Sequence, residues 1–441
     1  MKQQLESVLR PVLGDGVVVE NLNTLTGGAS RTTWALDAVA DQDRRALILR
    51  TGPPDDVHAG MELEASVQRR AAAAGAPVPH ILAADNSPAA LGNPYLICEA
   101  IDGETIVRRI HRALDAAARD RLLHQCAKAL AAIHRADPDG IGLTDADQLT
   151  EWRDRLDEMG DTTATFEWAF RWLGAHRPPP SPPRLVHGDF RMGNLIVDET
   201  GLAAVLDWEL VHIGEIYEDL AWFCIRAWRF GADERLGAGG LGSVETFVSA
   251  YEAAGGAEVD RDAFRWWLTL ATLRWGVICR FQAERHLSGQ AASVELAAIG
   301  RRVSETEWDV LDLLSGGQGD DPGIRRSAGP QTNLYGRPTA AELVAAVADF
   351  LDNEVRAATE GQVNFHARVA ANALRIVERE LGASAGEVID ALDKIGFSDE
   401  AQLAAAIRAG ELDSRAGEVL PCLRTLVRHR LAVAHPGYDS P

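Results

Sequence analysis

Two aspartates, an asparagine and a histidine carry the clearest chemical signal in this chain. His187-Gly188-Asp189 is followed by Asn194, and Asp207 stands beyond two short apolar runs. Leu195 to Val197 and Leu202 to Leu206 flank Asp198-Glu199-Thr200-Gly201, whose polar and glycine chemistry predicts a turn and an antiparallel hairpin. Folding back at that turn brings Asp207 beside Met192 to Asn194. Two carboxylates and an amide oxygen then converge. Such hard oxygen donors suit magnesium carrying nucleotide phosphates. One carboxylate can stay off the metal and accept a proton.

The pattern H-x-D-x-x-x-x-N, followed after a hairpin by a metal-binding aspartate, resembles the protein-kinase catalytic loop. It resembles more closely the aminoglycoside phosphotransferase family, with H-G-D-x-x-x-x-N, then D-W-E, a glycine and D-L-A. This chain supplies Asp207-Trp208-Glu209, Gly214 and Asp219-Leu220-Ala221. It departs from the family's G-D-P by offering Gly214-Glu215-Ile216. A surface hairpin with chance acidic residues is the bland alternative, and the ordered set of motifs argues against it. The resemblance implies ATP and Mg2+ as cofactors, Asp189 as the catalytic base, and Asn194 and Asp207 as metal ligands. His187, Glu209 and Asp219 are implied in supporting roles, with Asp219 bracing the loop.

The elements that must position these residues begin with a small mixed lobe. A helix to Leu13 precedes strands at Val17 to Leu25, Thr32 to Leu36 and Ala46 to Arg50. Between the first two, Gly27 and Gly28 let backbone N–H groups approach a phosphate, with Ser30 and Arg31 as further donors. The turn lacks the G-x-G-x-x-G of protein kinases. Arg50 stands where kinase-like folds carry the lysine that holds the α- and β-phosphates, and its planar fork can bridge a carboxylate and a phosphate. The expected partner is Glu64, on a helix from Gly60 to Ala74, with Glu62 as the competing choice and a solvated helix face as the plain one. A strand over Asn93 to Ala100 leads into the segment between lobes. There the resemblance implies that the Glu99 carbonyl and the Ile101 N–H contact adenine.

The larger lobe is predicted to be helical. Ala116 to Ala136 places Leu122, Cys126, Leu130 and Ile133 on one stripe, and its His134 reads as structural. Trp152 to Leu173 reads as one or two helices, and the proline-rich run at 178–183 as a stiff connection. Phe264 to Leu287 carries Trp266, Trp267, Arg274, Trp275 and Arg280. The family resemblance implies an acceptor site there, whereas a tryptophan-rich helix is more often core. Arg108, Arg109 and Arg112 read as a solvated face, with an anionic acceptor as the sharper alternative. Residues 316–337, rich in Gly, Asp, Pro and Ser, read as a linker. Beyond them Thr339 and Glu342 form a capping box, and Leu343, Val347, Phe350 and Leu351 line one helix face. The fold class is therefore α+β: a two-lobed, protein-kinase-like fold followed by an all-α domain. Its divisions are 1–101, 102–315, a linker at 316–337 and a helical domain at 338–441. That last domain is expected to fold by itself and to mediate association between copies of the chain.

Composition bounds the function. Of 441 residues 46% are hydrophobic and 25% charged, enough for a sizeable core. A formal net charge of -21 disfavours nucleic acid and anionic membranes as partners. The five cysteines are dispersed without C-x-x-C spacing, which predicts reduced thiols and no zinc site. No apolar run suggests a signal or a membrane span, so a cytoplasmic location is expected. The reading that unites these features is an ATP- and magnesium-dependent transfer of the γ-phosphoryl group to a hydroxyl of a small molecule. Similarity to phosphotransferase domains fused to acyl-CoA dehydrogenases favours a hydroxylated acid or acyl-CoA as acceptor. The alternatives are an aminoglycoside or other antibiotic kinase, a catalytically silent nucleotide-binding module, suggested by Arg50, and a metallophosphatase. The G-N-H motif of the last is absent.

Overall fold

The computed structural model describes residues 1–25, 31–40, 43–52, 59–315 and 338–440. They divide into two compact units that interleave along the chain: Met1–Ala146 with Pro178–Leu268, and Asp147–Arg177 with Thr269–Pro441.

The first unit opens with α1 (Lys2–Leu13), β1 (Val18–Leu25), β2 (Thr32–Ala40), β3 (Asp43–Thr51), α2 (Met61–Ala73), β4 (Ile81–Asp85) and β5 (Tyr95–Glu99). The strands form one antiparallel sheet in the order β1-β2-β3-β5-β4. Successive side chains of a strand point to opposite faces, and the two faces have different covers. Leu36, Leu47, Leu49 and Ile97 share a core with Leu5 and Leu9 of α1, while Ile48, Leu96 and Cys98 meet Met61 and Ala65 of α2. Arg50 follows Ile48 by two residues and pairs in register with Leu96, so the period of two directs it to the α2 face.

The chain continues through α3 (Val107–Ala113) and α4 (Ala116–Arg135). Asp115 caps α4 by accepting from the Ala118 N–H, and the predicted stripe of Leu122, Cys126, Leu130 and Ile133 is buried. α5 (Gln148–Glu158) and α6 (Ala164–Ala175) belong to the second unit. The first resumes with β6 (Arg184–Val186), β7 (Leu195–Asp198), β8 (Gly201–Val205), β9 (His212–Gly214), α7 (Ile216–Cys224) and α8 (Val244–Ala253). The expected hairpin is β7–β8, pairing Leu195 with Val205. β6 pairs with β9, a contact between three-residue strands too short to announce themselves in sequence. Gln125 of α4 grips the hairpin turn, its Oε1 accepting from Leu202 N at 2.9 Å and its Nε2 donating to Thr200 O at 3.2 Å.

α9 (Arg261–Leu287) contains the division between the units. Its Trp266 and Trp267 are buried, as a core helix requires. α10 (Val294–Gly300), α11 (Val303–Ser315), α12 (Ala340–Phe350), α13 (Gly361–Leu381), α14 (Gly386–Ile395), α15 (Glu400–Arg408) and α16 (Ala416–Ala434) complete the second unit. Its core joins Trp168 of α6 and Trp308 and Leu311 of α11 to Leu392, Leu403, Ile407, Leu423 and Leu426 of the last helices. Residues 338–440 thus share a compact unit with α5, α6, α10 and α11. The Thr339–Glu342 capping box forms as expected. The stripe predicted to be buried behind it does not: Leu343, Val347 and Phe350 are exposed, and α12 buries Ala348 instead. α12 packs on α13, yet its large apolar side chains stay exposed and the small Ala348 is the residue it buries. All five cysteines are buried and free, and burial pushes the Cys98 thiol up to about 12. Among the described residues no helix is long and apolar enough to cross a membrane.

Candidate active site

The segment from His187 to Asn194 joins β6 to β7 and is held from below by α7. Asp219, fully buried on that helix, accepts from the backbone N–H groups of His187 at 2.8 Å and Gly188 at 2.9 Å. Gly188 has φ +83, and a Cβ there would collide with the Leu210 carbonyl, so the loop's entry is a glycine position. His134 stands between Asp219, 3.2 Å from its Oδ2, and the Tyr251 hydroxyl at 2.8 Å. Burial works against the charged form of Asp219, yet the hydrogen bond from His134 and the nearby His187 hold its carboxyl below the usual range. The His187 imidazole is pushed down by burial. Its Nε2 donates to the Leu206 carbonyl at 3.0 Å and its Nδ1 accepts from the Asp189 N–H at 3.2 Å, the pattern of a neutral ring with its proton on Nε2. His187 therefore spans the loop and the far end of the hairpin.

Asp189 is gripped by three side chains. Trp222 Nε1 donates to Oδ1 at 2.7 Å, Asn194 Nδ2 donates to Oδ2 at 2.7 Å, and Arg191 Nε lies 3.0 and 3.1 Å from the two oxygens. Asn194 Nδ2 also reaches the Asp189 carbonyl at 2.9 Å. With that nitrogen committed, the amide oxygen is the atom Asn194 can offer a cation. Neither Arg191 nor Trp222 was marked by the sequence reading. Trp222 lies one helical turn beyond Asp219, so the i, i+3 spacing on α7 was an available signal; for Arg191 only proximity in the motif pointed to it.

The Asn194 carbonyl accepts from Leu206 N at 2.8 Å, which delivers Asp207 to the same end of the hairpin. Asp207 has φ +68, a left-handed conformation uncommon outside glycine, and functional sites are where such backbone is retained. Its Oδ1 accepts from Arg50 Nη2 at 2.9 Å. Arg50 also reaches Glu64 Oε2 at 3.1 Å and Glu209 Oε2 at 3.4 Å. Glu64, rather than Glu62, is the partner on α2; Glu62 instead accepts from Asn86 Nδ2 at 3.0 Å. Glu64 is fully buried, and burial pushes its carboxyl up against the pull of Arg50 and Arg31. Arg31 bonds the second Glu64 oxygen, donates to the Ala59 carbonyl at 2.7 Å and lies 3.9 Å from Glu209. Two arginines and three carboxylates thus form one cluster at the base of the sheet.

Gly27, Gly28 and Ser30 lie outside the described residues. Glu99 ends β5, and the following Ile101 is half-buried. Gly103, at φ +153, lies against Ile196 and Val197, and Glu104 exchanges backbone hydrogen bonds with Val197 at 2.8 and 3.0 Å. The segment after β5 is therefore tied directly to the β7–β8 hairpin. Among the described residues no group of three or more His, Cys, Asp or Glu side chains gathers as a metal cage. One aspartate and one amide oxygen suit magnesium, which keeps several waters and takes its remaining ligands from phosphates.

The model of the phosphotransferase enzyme family matches residues 21–267, and that of a domain of unknown function (DUF6285) matches residues 357–438. Acyl-CoA dehydrogenase family member 10 of Mus musculus is 27% identical over 292 residues, covering 60% of this chain and 27% of the relative. Acyl-CoA dehydrogenase family member 11 of Gallus gallus is 26% identical over 280 residues, covering 58% and 36%. The chain thus spans a minor part of the length of these relatives. A putative aminoglycoside phosphotransferase from Ralstonia eutropha shares the fold with TM-score 0.59 and 21% identity, over 72% of this chain and 99% of its own. The GDP and kanamycin complex of an aminoglycoside phosphotransferase gives TM-score 0.51 and 15% identity, over 69% and 99%. With the loop and the hairpin both inside a match that covers more than half of the sequence, the chain belongs to the phosphotransferase enzyme family.

Proposed function

We propose that this protein transfers the γ-phosphoryl group of ATP to a hydroxyl of a small molecule, in a magnesium-dependent reaction. The observation that carries the reading is the division of labour between two aspartates at one end of a hairpin. Asp189 is held by Trp222, Asn194 and Arg191, whereas Asp207 turns to Arg50. A carboxylate fixed by neighbouring donors can orient a hydroxyl and take its proton. Asp207 and the Asn194 amide oxygen are the atoms that would hold the metal, which when bound neutralises phosphate charge and brings the phosphoryl group into line. Arg50, anchored through Glu64, would pair with phosphate oxygens, and Glu209 would limit its travel. The backbone at Gly27 and Gly28, with Ser30, would cover the phosphates, and the Glu99 carbonyl and Ile101 N–H would receive the base. Arg31, bonded to Glu64, fits a bracing role better than a phosphate contact.

For the acceptor, a hydroxylated acid or acyl-CoA is supported by the relatives, whose names place similar sequence within acyl-CoA dehydrogenase family members. An antibiotic acceptor has support only from a shared fold. A silent nucleotide-binding module remains the competing reading, since Arg50 engages the same Asp207 that would hold metal. Association of copies through the C-terminal helices is the remaining part of the reading, supported by the exposed Leu343, Val347 and Phe350 and checked by mass in solution. The deciding experiment follows ATP consumption with and without magnesium across hydroxy acids, their CoA esters and aminoglycosides, in wild type and Asp207→Asn. Magnesium-dependent turnover lost in the variant supports the kinase. Nucleotide binding without turnover against any acceptor would establish the silent module.

A further inference from the structure

An ionised carboxylate offers about four lone-pair positions, and those of Asp189 are all engaged, by Trp222 and Arg191 on Oδ1 and by Asn194 and Arg191 on Oδ2. A base in that state has no site left for an incoming hydroxyl. One donor has to yield, and the three are not equal. Trp222 and Asn194 are 2% and 6% exposed, each donating to one carboxylate oxygen at 2.7 Å. Arg191 is 27% exposed and shares a single Nε–H between two oxygens at 3.0 and 3.1 Å. It is the weakest and most accessible of the three. Its guanidinium lies over the Trp228 ring, 5.0 Å from the centroid, and above Gly193, where any Cβ would strike Nη1. A flat aromatic surface and a bare glycine let the guanidinium slide without opening a cavity.

We propose that Arg191 is a catalytic residue that changes partners during transfer. This rests on the phosphotransferase reading above. When the acceptor hydroxyl reaches Asp189, the guanidinium is displaced but remains beside the reacting oxygen. The anion that every acceptor, water included, must meet there is the γ-phosphoryl group. Arg191 then pairs with its non-bridging oxygens. As the hydroxyl oxygen bonds to phosphorus, its proton passes to Asp189, the bond from phosphorus to the β–γ bridging oxygen breaks, and ADP leaves with the electron pair. One cation thus answers Asp189 before transfer and the phosphoryl oxygens during it, while the charge that Asp189 loses on protonation appears on the ADP that leaves.

The test measures phosphate release from Mg·ATP by the full chain, with water as acceptor, so that no unknown substrate is required. Arg191→Ala should lower kcat by about 10²-fold or more while the KM for ATP stays within about threefold, the signature of an interaction made chiefly in the transition state. Free guanidinium ion should restore at least about tenfold, and Arg191→Lys should retain part of the rate. Trp222→Phe, which loosens Asp189 without removing a cation, should lose activity that guanidinium does not restore. Arg191→Ala within about threefold of wild type, a loss confined to KM, or a loss that guanidinium cannot repair in a folded variant would each overturn the proposal. Wild-type protein with no magnesium-dependent ATP turnover, whether with water or with the hydroxy acids, CoA esters and aminoglycosides named above, would instead overturn the phosphotransferase reading, and this inference with it.

Discussion

Buried charge is used in opposite ways in the two compact units. Around the His187–Asn194 loop the carboxylates are held by backbone N–H groups, an indole, an amide and an imidazole together with Arg191 and Arg50, and Asp207 keeps a third of its side chain exposed. In the second unit they are locked by arginines that stitch together segments far apart in sequence. Glu307 of α11, wholly buried, takes both bonds from Arg430 Nη1 of α16 at 2.8 and 3.0 Å, and Arg430 also bonds Glu400 of α15. Asp157 of α5 accepts from Arg408 of α15 at 2.9 and 2.6 Å. A carboxylate shared between neutral donors and one accessible arginine keeps its charge available, whereas an arginine committed to a buried carboxylate cancels the charge and fixes the helices it joins. The first arrangement suits the proposed chemistry and the second suits cohesion.

Substitutions should separate the two uses. The largest effect is expected for Asp189→Asn: phosphoryl transfer falls by about 10² to 10⁴ fold, the usual worth of a positioned base, with nucleotide affinity and unfolding midpoint nearly unchanged. If transfer survives but nucleotide binding collapses, Asp189 is a metal ligand instead. Next comes Arg430→Met, with the reverse profile. It leaves Glu307 buried without its cation and should cost roughly 3 kcal/mol in urea unfolding, at the low end for a broken buried pair because the arginine is partly exposed. A normal unfolding curve for this variant would remove the contrast between the units.

Trp222→Phe should be milder, with loss of about 1.5–3 kcal/mol of interaction with a charged acceptor, read as a roughly ten- to hundredfold fall in kcat with little change in KM for ATP. Equal effects on kcat and KM would mean that the indole shapes the pocket rather than the base. The smallest effect concerns pH. Burial lowers the His187 pKa in the folded chain, whereas the unfolded chain binds that proton near the ordinary value of about 6.5. Protonation therefore favours unfolding, and stability should fall as pH drops through about 6.5, by at most about 1.4 kcal/mol per pH unit for this group. The depressed Asp219 contributes in the same direction only at lower pH, below the ordinary carboxylate range, because its stabilisation is lost as pH falls toward its folded pKa. Thermal midpoints of wild type and His187→Asn between pH 7 and 5 should diverge; parallel curves would show that His187 titrates normally.

A chain with this sequence has little freedom over the hairpin. Its polar and apolar residues are contiguous, the turn is local, and Asp198 Oδ1 accepts from the Thr200 and Gly201 N–H groups within the turn itself. Likewise the placement of Arg50 on the α2 face follows from the period of a strand, and the Thr339–Glu342 cap from a spacing within one helical turn. Each of these depends on residues close together in the chain, so the pattern contains its own solution. Other features depended on which distant segments meet. Trp222 and Arg191 on Asp189, Arg31 on Glu64, β6 beside β9, and Ala348 rather than Leu343 buried on α12 are all of this kind. The core that joins α6 and α11 to α14, α15 and α16 is another. An apolar stripe or a charged side chain states that it needs a partner without stating which. That choice is made by the packing of the whole unit, where side chains far apart in sequence compete for the same volume and the same donors.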